Sequence, residues 1–140
     1  MEMYRHLKLR NISDKRGSIV IVEGGQDIPF EIARVFYIYG SDEDVVRGKH
    51  ANRNSEFVFV NVAGKSKILI TDGVNREIVE LNKPNEAIYI PKMIWKEMFD
   101  FSENSVLLVF SDKHYDDKEY IYNFKEYLTE MNLFYHKIRE

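Results

Sequence analysis

The sequence predicts an all-β sandwich or barrel that ends in one helix. Roughly seven short segments rich in β-branched and aromatic residues recur at 8–12-residue spacing between turn residues, which is typical of such folds. Towards the end, apolar residues recur at helical spacing instead. The 140 residues fit one domain. We expect its core at about residues 14–112 and its helix at about residues 116–132.

The strands are expected in the following order. Residues 5–12 form an arm or an edge strand, and Gly17 lies in the next turn because glycine adopts positive φ without strain. Asp72-Gly73 is a strong hairpin signal between two strand-like runs. The apolar run 105–110 is typical of a strand buried on both faces. Further strands are predicted at residues 19–23, 34–39, 57–62, 66–71, 76–81 and 87–90.

The C-terminal helix has an expected start at Asp116. Its side-chain oxygen can accept an otherwise unpaired backbone N–H, and Glu119 follows three residues later. The apolar face of this helix is predicted to consist of Tyr120, Phe124, Tyr127, Leu128 and Met131.

Composition narrows the class of function. The formal charge of −3 lacks the basic excess of nucleic-acid-binding domains, so no nucleic-acid partner is expected. No apolar run reaches the ~18 residues of a membrane span, so no membrane partner is expected either. The mixed first 15 residues do not resemble a secretory signal, and the chain contains no cysteine. We therefore expect a cytoplasmic protein without thiolate metal sites.

The segment 47–56 carries the strongest candidate site. It places a histidine, an amide and a carboxylate just before the apolar run 57–62. Alternate residues of an extended chain point to one side. His50, Asn52 and Glu56 are therefore expected to line one concave face of the fold.

These residues also carry a family resemblance. His50-x-Asn52-x-x-x-Glu56, with Gly64 shortly after, resembles the first cupin motif, except that asparagine replaces its second histidine. An ordered set of further segments within residues 14–128 resembles the nucleotide-sugar 3,4-ketoisomerases, small cupins that act on dTDP-4-keto-6-deoxyglucose. These segments are Asp14-Lys15-Arg16-Gly17, Ile28-Pro29-Phe30, Arg34-Val35-Phe36-Tyr37-Ile38, Arg47-Gly48-Lys49-His50-Ala51, Leu81-Asn82-x-Pro84, Tyr89-Ile90, Trp95-x-Glu97-Met98-x-Asp100-Phe101, Val106-Leu107-Leu108-Val109 and Tyr115-Asp116-x-x-x-Tyr120-Ile121.

The resemblance implies a jelly-roll homodimer whose subunits exchange N-terminal strands. It implies an isomerase that moves the keto group of a dTDP-linked deoxysugar from C4 to C3 through an enediol or enediolate, without metal or redox cofactor. The product would be the precursor of a 3-amino sugar for surface polysaccharide. Two alternatives stay open: a non-catalytic cupin that binds a nucleotide sugar, and an isomerase or epimerase of another nucleotide sugar.

The reaction requires proton transfer, and His50 is the candidate for it because histidine titrates near neutrality. Asn52 can donate and accept hydrogen bonds but cannot act as acid or base. Either His50 performs both proton transfers, or another group shares the work. Tyr37, Tyr39, Lys96 and Glu97 are candidates for that group, and we place Tyr37 with His50 and Asn52 in the catalytic set. Strand parity argues against Tyr37, because it points away if Arg34 faces the pocket.

Substrate contacts are expected from basic side chains. Arg16, Arg34 and Arg47 can contact the pyrophosphate or sugar oxygens, because the guanidinium fork matches phosphate geometry. Lys96 is expected to bind the sugar or to influence the stereochemistry at C4, and Glu97 completes the binding set. No metal is expected, since residues 82–98 lack the late histidine of metal cupins. The configuration of the product at C4 stays open.

Overall fold

The computed structural model describes residues 2–139, except for the side chains of residues 135, 138 and 139. Twelve strands and one long helix make up this part of the chain. The strands are β1 Arg5–Lys8, β2 Arg10–Asp14, β3 Gly17–Ile21, β4 Arg34–Tyr39, β5 Arg47–Asn52, β6 Phe57–Ala63, β7 Ser66–Thr71, β8 Arg76–Leu81, β9 Glu86–Ile90, β10 Trp95–Phe99, β11 Val106–Ser111 and β12 Tyr120–Ile121. A 3-10 helix, Asp117–Glu119, precedes β12, and helix α1 spans Phe124–Arg139.

Two five-stranded antiparallel sheets form the body of the fold. The first sheet has the order β1-β9-β6-β11-β4, and the second has the order β12-β5-β10-β7-β8. Strands β2 and β3 form a separate hairpin. Every ladder between named strands is antiparallel, and most sheet neighbours are distant in sequence, as in a jelly roll. The expectation of an all-β fold with a C-terminal helix is confirmed.

The main core lies between the two sheets. Alternation in β7 turns Ile68 and Ile70 inward, where they meet Phe57 and Phe59 of β6. Two further clusters cover the outer faces. Segment 22–32 packs Ile28 and Phe30 against the first sheet, and α1 packs against the second.

The helix begins later than the sequence suggested. Asp116 does cap a helix, but its side chain accepts the N–H of Lys118 in the 3-10 turn. Strand β12 follows, and Asn123 accepts the Glu126 N–H at the start of α1. The expected start at residue 116 is therefore wrong, because residues 120–121 pair with β5 instead of continuing a helix.

The N-terminal arm contains two strands separated by Leu9, which is buried. Strand β1 pairs with β9 at the edge of the first sheet, so packed structure begins before residue 14. The organisation as one domain over residues 1–140 stays a prediction.

Candidate active site

A cavity of about 240 Å³ opens between the two sheets and contains the central part of the predicted site. Strands β4, β5, β6 and β10 contribute its walls, and β12 borders it through Tyr120. Its lining comprises Phe36, Tyr37, Ile38, Arg47, Gly48, His50, Phe57, Phe59, Lys96, Met98 and Tyr120. Apolar walls with a few convergent cations are typical of a pocket for a polar ligand.

His50 is directed into the cavity from an irregular strand. Gly48 and Lys49 both have positive φ, at 85° and 55°, and the β5–β10 register shifts opposite them, between Lys96 and Glu97. A β-bulge of this kind bends a strand and changes the direction of its side chains. Glycine is favoured at position 48, because the positive φ strains other residues and a Cβ there would lie 3.0 Å from the Met98 sulfur and 3.1 Å from the Lys96 carbonyl oxygen. The bulge therefore contributes to the placement of His50.

The surroundings of His50 favour its neutral form. Burial lowers its pKa to about 4, the positive charges of Lys96 and Arg34 act in the same direction, and a hydrogen bond with the Gly48 backbone opposes them. The ring of Tyr120 packs edge-on against the imidazole at 4.9 Å between centroids. A neutral imidazole at pH 7 can accept a proton, so His50 is suited to act as a base.

Lys96 is the second titratable group of this cavity. It lies opposite His50 across the β5–β10 ladder, and only 1% of its surface is exposed. Its ammonium donates to Asn52 Oδ1 at 3.0 Å and lies 4.5 Å from the centre of the Phe57 ring. Burial lowers its pKa to about 7, Glu119 opposes this shift, and Arg34 adds to it. Lys96 is therefore close to half protonated at neutral pH.

Arg34 supplies a cation with free hydrogen-bonding capacity. Its Nη1 donates to the hydroxyl of Tyr120 at 3.3 Å, and the guanidinium lies among the rings of Phe36, Phe57 and Tyr115. Within residues 2–139, its buried Nε and Nη2 atoms have no hydrogen-bond partner. Unpaired buried donors are costly, which points to an oxygen-rich ligand as their partner.

Comparison with known proteins assigns the family. The model of the FdtA family, described as WxcM-like, C-terminal, matches residues 2–132. The chain belongs to this family. The TDP-4-oxo-6-deoxy-alpha-D-glucose-3,4-oxoisomerase of Aneurinibacillus thermoaerophilus is 35% identical over 130 residues, which cover 91% of this chain and 94% of that protein.

Solved structures agree with this assignment. A histidine-to-asparagine mutant of the 3,4-ketoisomerase QdtA from Thermoanaerobacterium thermosaccharolyticum, in complex with TDP-4-keto-6-deoxyglucose, superposes with a TM-score of 0.91. It is 37% identical, with coverage of 94% of this chain and 95% of that one. The TDP-fucose-3,4-ketoisomerase WlaRA of Campylobacter jejuni is 43% identical, with a TM-score of 0.85 and coverage of 89% and 93%. The predicted resemblance and cupin fold are therefore confirmed.

In this FdtA-family chain, the structure brings together part of the predicted site. His50 and Lys96 line the cavity, and Arg47 borders it from the exposed start of β5. Asn52 and Arg34 lie behind this lining, where Asn52 contacts Lys96 and Arg34 contacts Tyr120. Asn52 is fully buried beside Lys96, and within the described chain its Nδ2 atom lacks a hydrogen-bond partner.

Other predicted residues lie elsewhere in the single chain. Tyr37 borders the cavity, but its side chain is 61% exposed and its ring packs against Tyr39 on the opposite face of β4. Glu97 accepts a hydrogen bond from the Trp95 indole at 2.9 Å, on the side of β10 that faces α1. The geometry of the chain supports neither Tyr37 nor Glu97 in the site, because residues of opposite strand parity face opposite sides.

Two further candidates occupy different surroundings. Arg16 lies in the β2–β3 turn, pairs with Asp14 at 2.7 Å and does not border the cavity. Glu56 does not share the face of His50, because its carboxylate accepts the Tyr89 hydroxyl on the outer side of the first sheet. Among residues 2–139 no cluster of three His, Asp or Glu side chains is suited to hold a metal. Nor does that part of the chain contain a helix long and apolar enough to span a bilayer.

Sequence reasoning missed two contributors. Tyr120 belongs to a segment that carried the family resemblance, yet the expected helix concealed its position beside His50 and Arg34. Buried Glu119 accepts the backbone N–H groups of Asn54 and Ser55 and the Ser55 hydroxyl, which holds the turn after β5. No local sequence pattern pairs residue 119 with residue 55.

Proposed function

We propose that this protein is a 3,4-ketoisomerase that moves the keto group of a TDP-linked 4-keto-6-deoxyhexose from C4 to C3. The observation that carries the proposal is that His50 lines a small cavity and that Tyr120, which packs against it, accepts a hydrogen bond from the incompletely paired guanidinium of Arg34. Burial lowers the pKa of His50 to about 4, which favours the neutral base. A base beside fixed cations is what formation of an enediolate requires. The activities named for the relatives support the same substrate class.

His50 removes the proton from C3 in this proposal. The C–H electron pair then forms the C3–C4 double bond, and the negative charge moves to the oxygen on C4. The unpaired donors of Arg34 stabilise this oxygen, since preorganised donors in a desolvated site act strongly on developing charge. The overall reaction is redox-neutral, because one carbon of the sugar is oxidised as its neighbour is reduced, so it requires no redox cofactor.

The experiment follows isotope exchange during turnover. We incubate the purified protein with dTDP-4-keto-6-deoxyglucose in D₂O and record deuterium at C3 and C4 by NMR. We expect formation of the 3-keto product with solvent deuterium at C4. Measurable dTDP binding without exchange above the buffer background would refute the isomerase and favour a non-catalytic nucleotide-sugar-binding cupin.

His50→Asn is the matched test of the base. It should lower turnover and C3 exchange by roughly 10²–10⁴-fold, the usual contribution of a positioned acid or base. Binding of dTDP should change little, because the imidazole is assigned to the sugar and not to the nucleotide. His114→Asn, at an exposed histidine outside the cavity, is the control and should retain wild-type turnover.

A homodimer with exchanged N-terminal strands is part of the proposal. The β2–β3 hairpin exposes Ile12 and Ile19, by 58% and 62%, and edge strand β4 exposes Tyr37 and Tyr39. Exposed apolar side chains on a projecting hairpin and a sheet edge support pairing with a second copy. Exchange would carry Arg16 towards the partner's cavity. Light scattering after size-exclusion chromatography tests this, and a monomer at micromolar concentration would contradict it.

The biological setting follows from the proposed product. A 3-keto sugar is the substrate that an aminotransferase needs to form a 3-amino sugar, and surface polysaccharide is the proposed destination. A cytoplasmic location agrees with the absence of cysteine. The C4 configuration of the product is left open, because it depends on which face of the enediol receives the proton.

A further inference from the structure

The proposed reaction contains a second carbon protonation, and His50 is assigned to only the first step. After C3 has lost its proton, C4 must gain one. Asn52 occupies the position two residues after His50, but an amide neither gives up nor takes a proton near neutral pH. The donor is then either the His50 imidazolium formed in the first step or another acid beside the cavity.

One side chain has both the location and the chemistry. Lys96 and His50 are paired across the β5–β10 ladder, so their side chains emerge next to each other. Both border the same cavity. Tyr120 also borders it, but its hydroxyl oxygen accepts a hydrogen bond from Arg34 and its ring lies on β12, outside the His50–Lys96 pair, while the Tyr37 side chain lies on the other face of β4. Apart from His50 itself, Lys96 is the remaining proton donor of that lining, because the Arg47 guanidinium keeps its proton near neutrality.

We propose that Lys96 delivers the proton to C4 and that Asn52 is the positioning residue that fixes its ammonium group. This inference rests on the proposed ketoisomerase function. The hydrogen bond of 3.0 Å from Lys96 Nζ to Asn52 Oδ1 leaves two ammonium protons available. The full burial of both side chains restricts their movement, so the flexible lysine stem is held in one place.

The protons and electrons balance as follows. His50 takes the C3 proton, and the C–H pair forms the C3–C4 double bond while O4 becomes negative. The hydroxyl proton of O3 moves to the adjacent O4. The electrons on O3 then re-form a carbonyl at C3, and the double-bond pair takes a proton from Lys96 to form the C4–H bond. The His50 imidazolium finally returns a proton to the Lys96 amine, which restores the starting state without net proton uptake.

The charged surroundings favour this division of roles. The groups acting on Lys96 are Glu119, which stabilises the ammonium form, and Arg34, which destabilises it, and burial lowers its pKa to about 7. His50 faces Lys96 and Arg34, and burial lowers its pKa to about 4. A neutral imidazole and a protonated amine therefore coexist between about pH 4 and about pH 7. Two titratable groups with separated pKa values are suited to act as base and acid.

Two substitutions at position 96 test the inference. Lys96→Met keeps the length and apolar stem of the side chain but has no proton to give, while Lys96→Arg keeps the charge but cannot release a proton near neutrality. In D₂O we expect both variants to exchange the substrate C3 proton at close to the wild-type rate. We expect both to form 3-keto product at least 100-fold more slowly. Lys65→Met, at an exposed lysine of the β6–β7 turn, is the control and should match wild type.

Three results would overturn the inference in folded protein. Wild-type turnover in Lys96→Met would mean that another group protonates C4. Wild-type turnover in Lys96→Arg would mean that the positive charge of Lys96 is sufficient and that proton donation by it is not required. If the variants lost both C3 exchange and product formation, Lys96 would act at or before removal of the C3 proton and not in the second step. Absence of both exchange and turnover in the wild-type protein would instead refute the proposed function itself, and the inference with it.

A further substitution tests the positioning role of Asn52. Asn52→Ala removes the acceptor of the Lys96 ammonium and should lower kcat about 10-fold while KM for the substrate stays within about twofold. The alkaline limb of the pH–rate profile should also shift, since this limb reports the pKa at which Lys96 loses its proton. An unchanged kcat and an unchanged limb would contradict the positioning role. A purely structural role would lower the unfolding free energy without moving the limb.

Discussion

Because Lys96 is buried, we expect its replacement by methionine to raise the free energy of unfolding. Lys96 is fully buried and its pKa is lowered from 10.5 to about 7, so the folded protein disfavours its charged form. Lys96→Met removes that penalty at nearly constant side-chain volume. We therefore expect the variant to unfold less readily than wild type at pH 7, although it lacks a hydrogen bond that the wild type makes.

The magnitude follows from proton linkage. Between pH 7 and pH 10.5 the unfolded chain binds a proton at Lys96 that the folded chain lacks, so this group makes wild-type stability rise with pH. The penalty from the shifted pKa is about 5 kcal/mol well below pH 7, about 4 kcal/mol at pH 7 and about 1 kcal/mol at pH 10. In the variant, the side-chain oxygen of Asn52 loses the hydrogen bond that Lys96 donates, which costs about 1–3 kcal/mol and offsets part of this gain. The net gain at pH 7 is about 1–3 kcal/mol, and it should vanish between about pH 8 and pH 10.

Urea unfolding at matched protein concentration, from pH 6 to pH 10, measures this difference. Groups remote from position 96 titrate alike in both proteins, so their contributions cancel in the comparison, whereas the charge of Lys96 lowers the pKa of His50 in the wild type only. A difference that falls by about 3 kcal/mol between pH 7 and pH 10 would support the argument. A variant that is destabilised by the same amount at every pH would refute it, because the ammonium would then be fully compensated in the folded state.

Further predictions concern the remaining cavity residues. The kcat/KM of wild type should rise through pH 4, as His50 loses its proton, and fall above pH 7, as Lys96 loses its proton; a flat alkaline side would contradict the assignment. Arg34→Met should lower kcat/KM about 10–100-fold, with Arg76→Met, at an exposed arginine of β8 outside the cavity, as the control. Glu119→Gln should cost about 1–3 kcal/mol in urea unfolding and move the alkaline limb to lower pH, because Glu119 supports the ammonium form. Gly48→Ala should be destabilised more than Gly40→Ala, since both have positive φ but only position 48 meets neighbouring atoms; equal losses of melting temperature would contradict the packing argument.

Local periodicity predicted much of the fold. Three predicted strands agree with the structure to the residue: 34–39, 66–71 and 76–81. The first alternates along its length between more and less exposed side chains, and the other two flank the Asp72-Gly73 turn. The helix start was wrong for a physical reason. The same Asp116 that can begin an α-helix also begins a 3-10 turn, and pairing of Tyr120–Ile121 with β5 decides between them.

The site was predictable only in part, since its chemistry depends on contacts between distant segments. Sequence spacing selected His50 and Asn52 as candidates, and the family pattern selected the arginines. The burial of Lys96 could not be seen locally, because lysine is seldom buried and its neighbour Glu97 faces the other way. The bulge at Gly48 was equally hidden, since it requires a register shift on the opposing strand.

The amide at Asn52 and the lysine at position 96 form one functional arrangement. A histidine at position 52 would place a second titratable group within hydrogen-bonding distance of the Lys96 ammonium, and the two would share one proton in coupled steps. An amide accepts the same hydrogen bond without taking the proton. Lys96 then titrates beside His50 as a distinct group, which gives the cavity one base and one acid. Burial of a lysine lowers stability, so its retention beside a non-titrating partner is best explained by the proton that it can deliver.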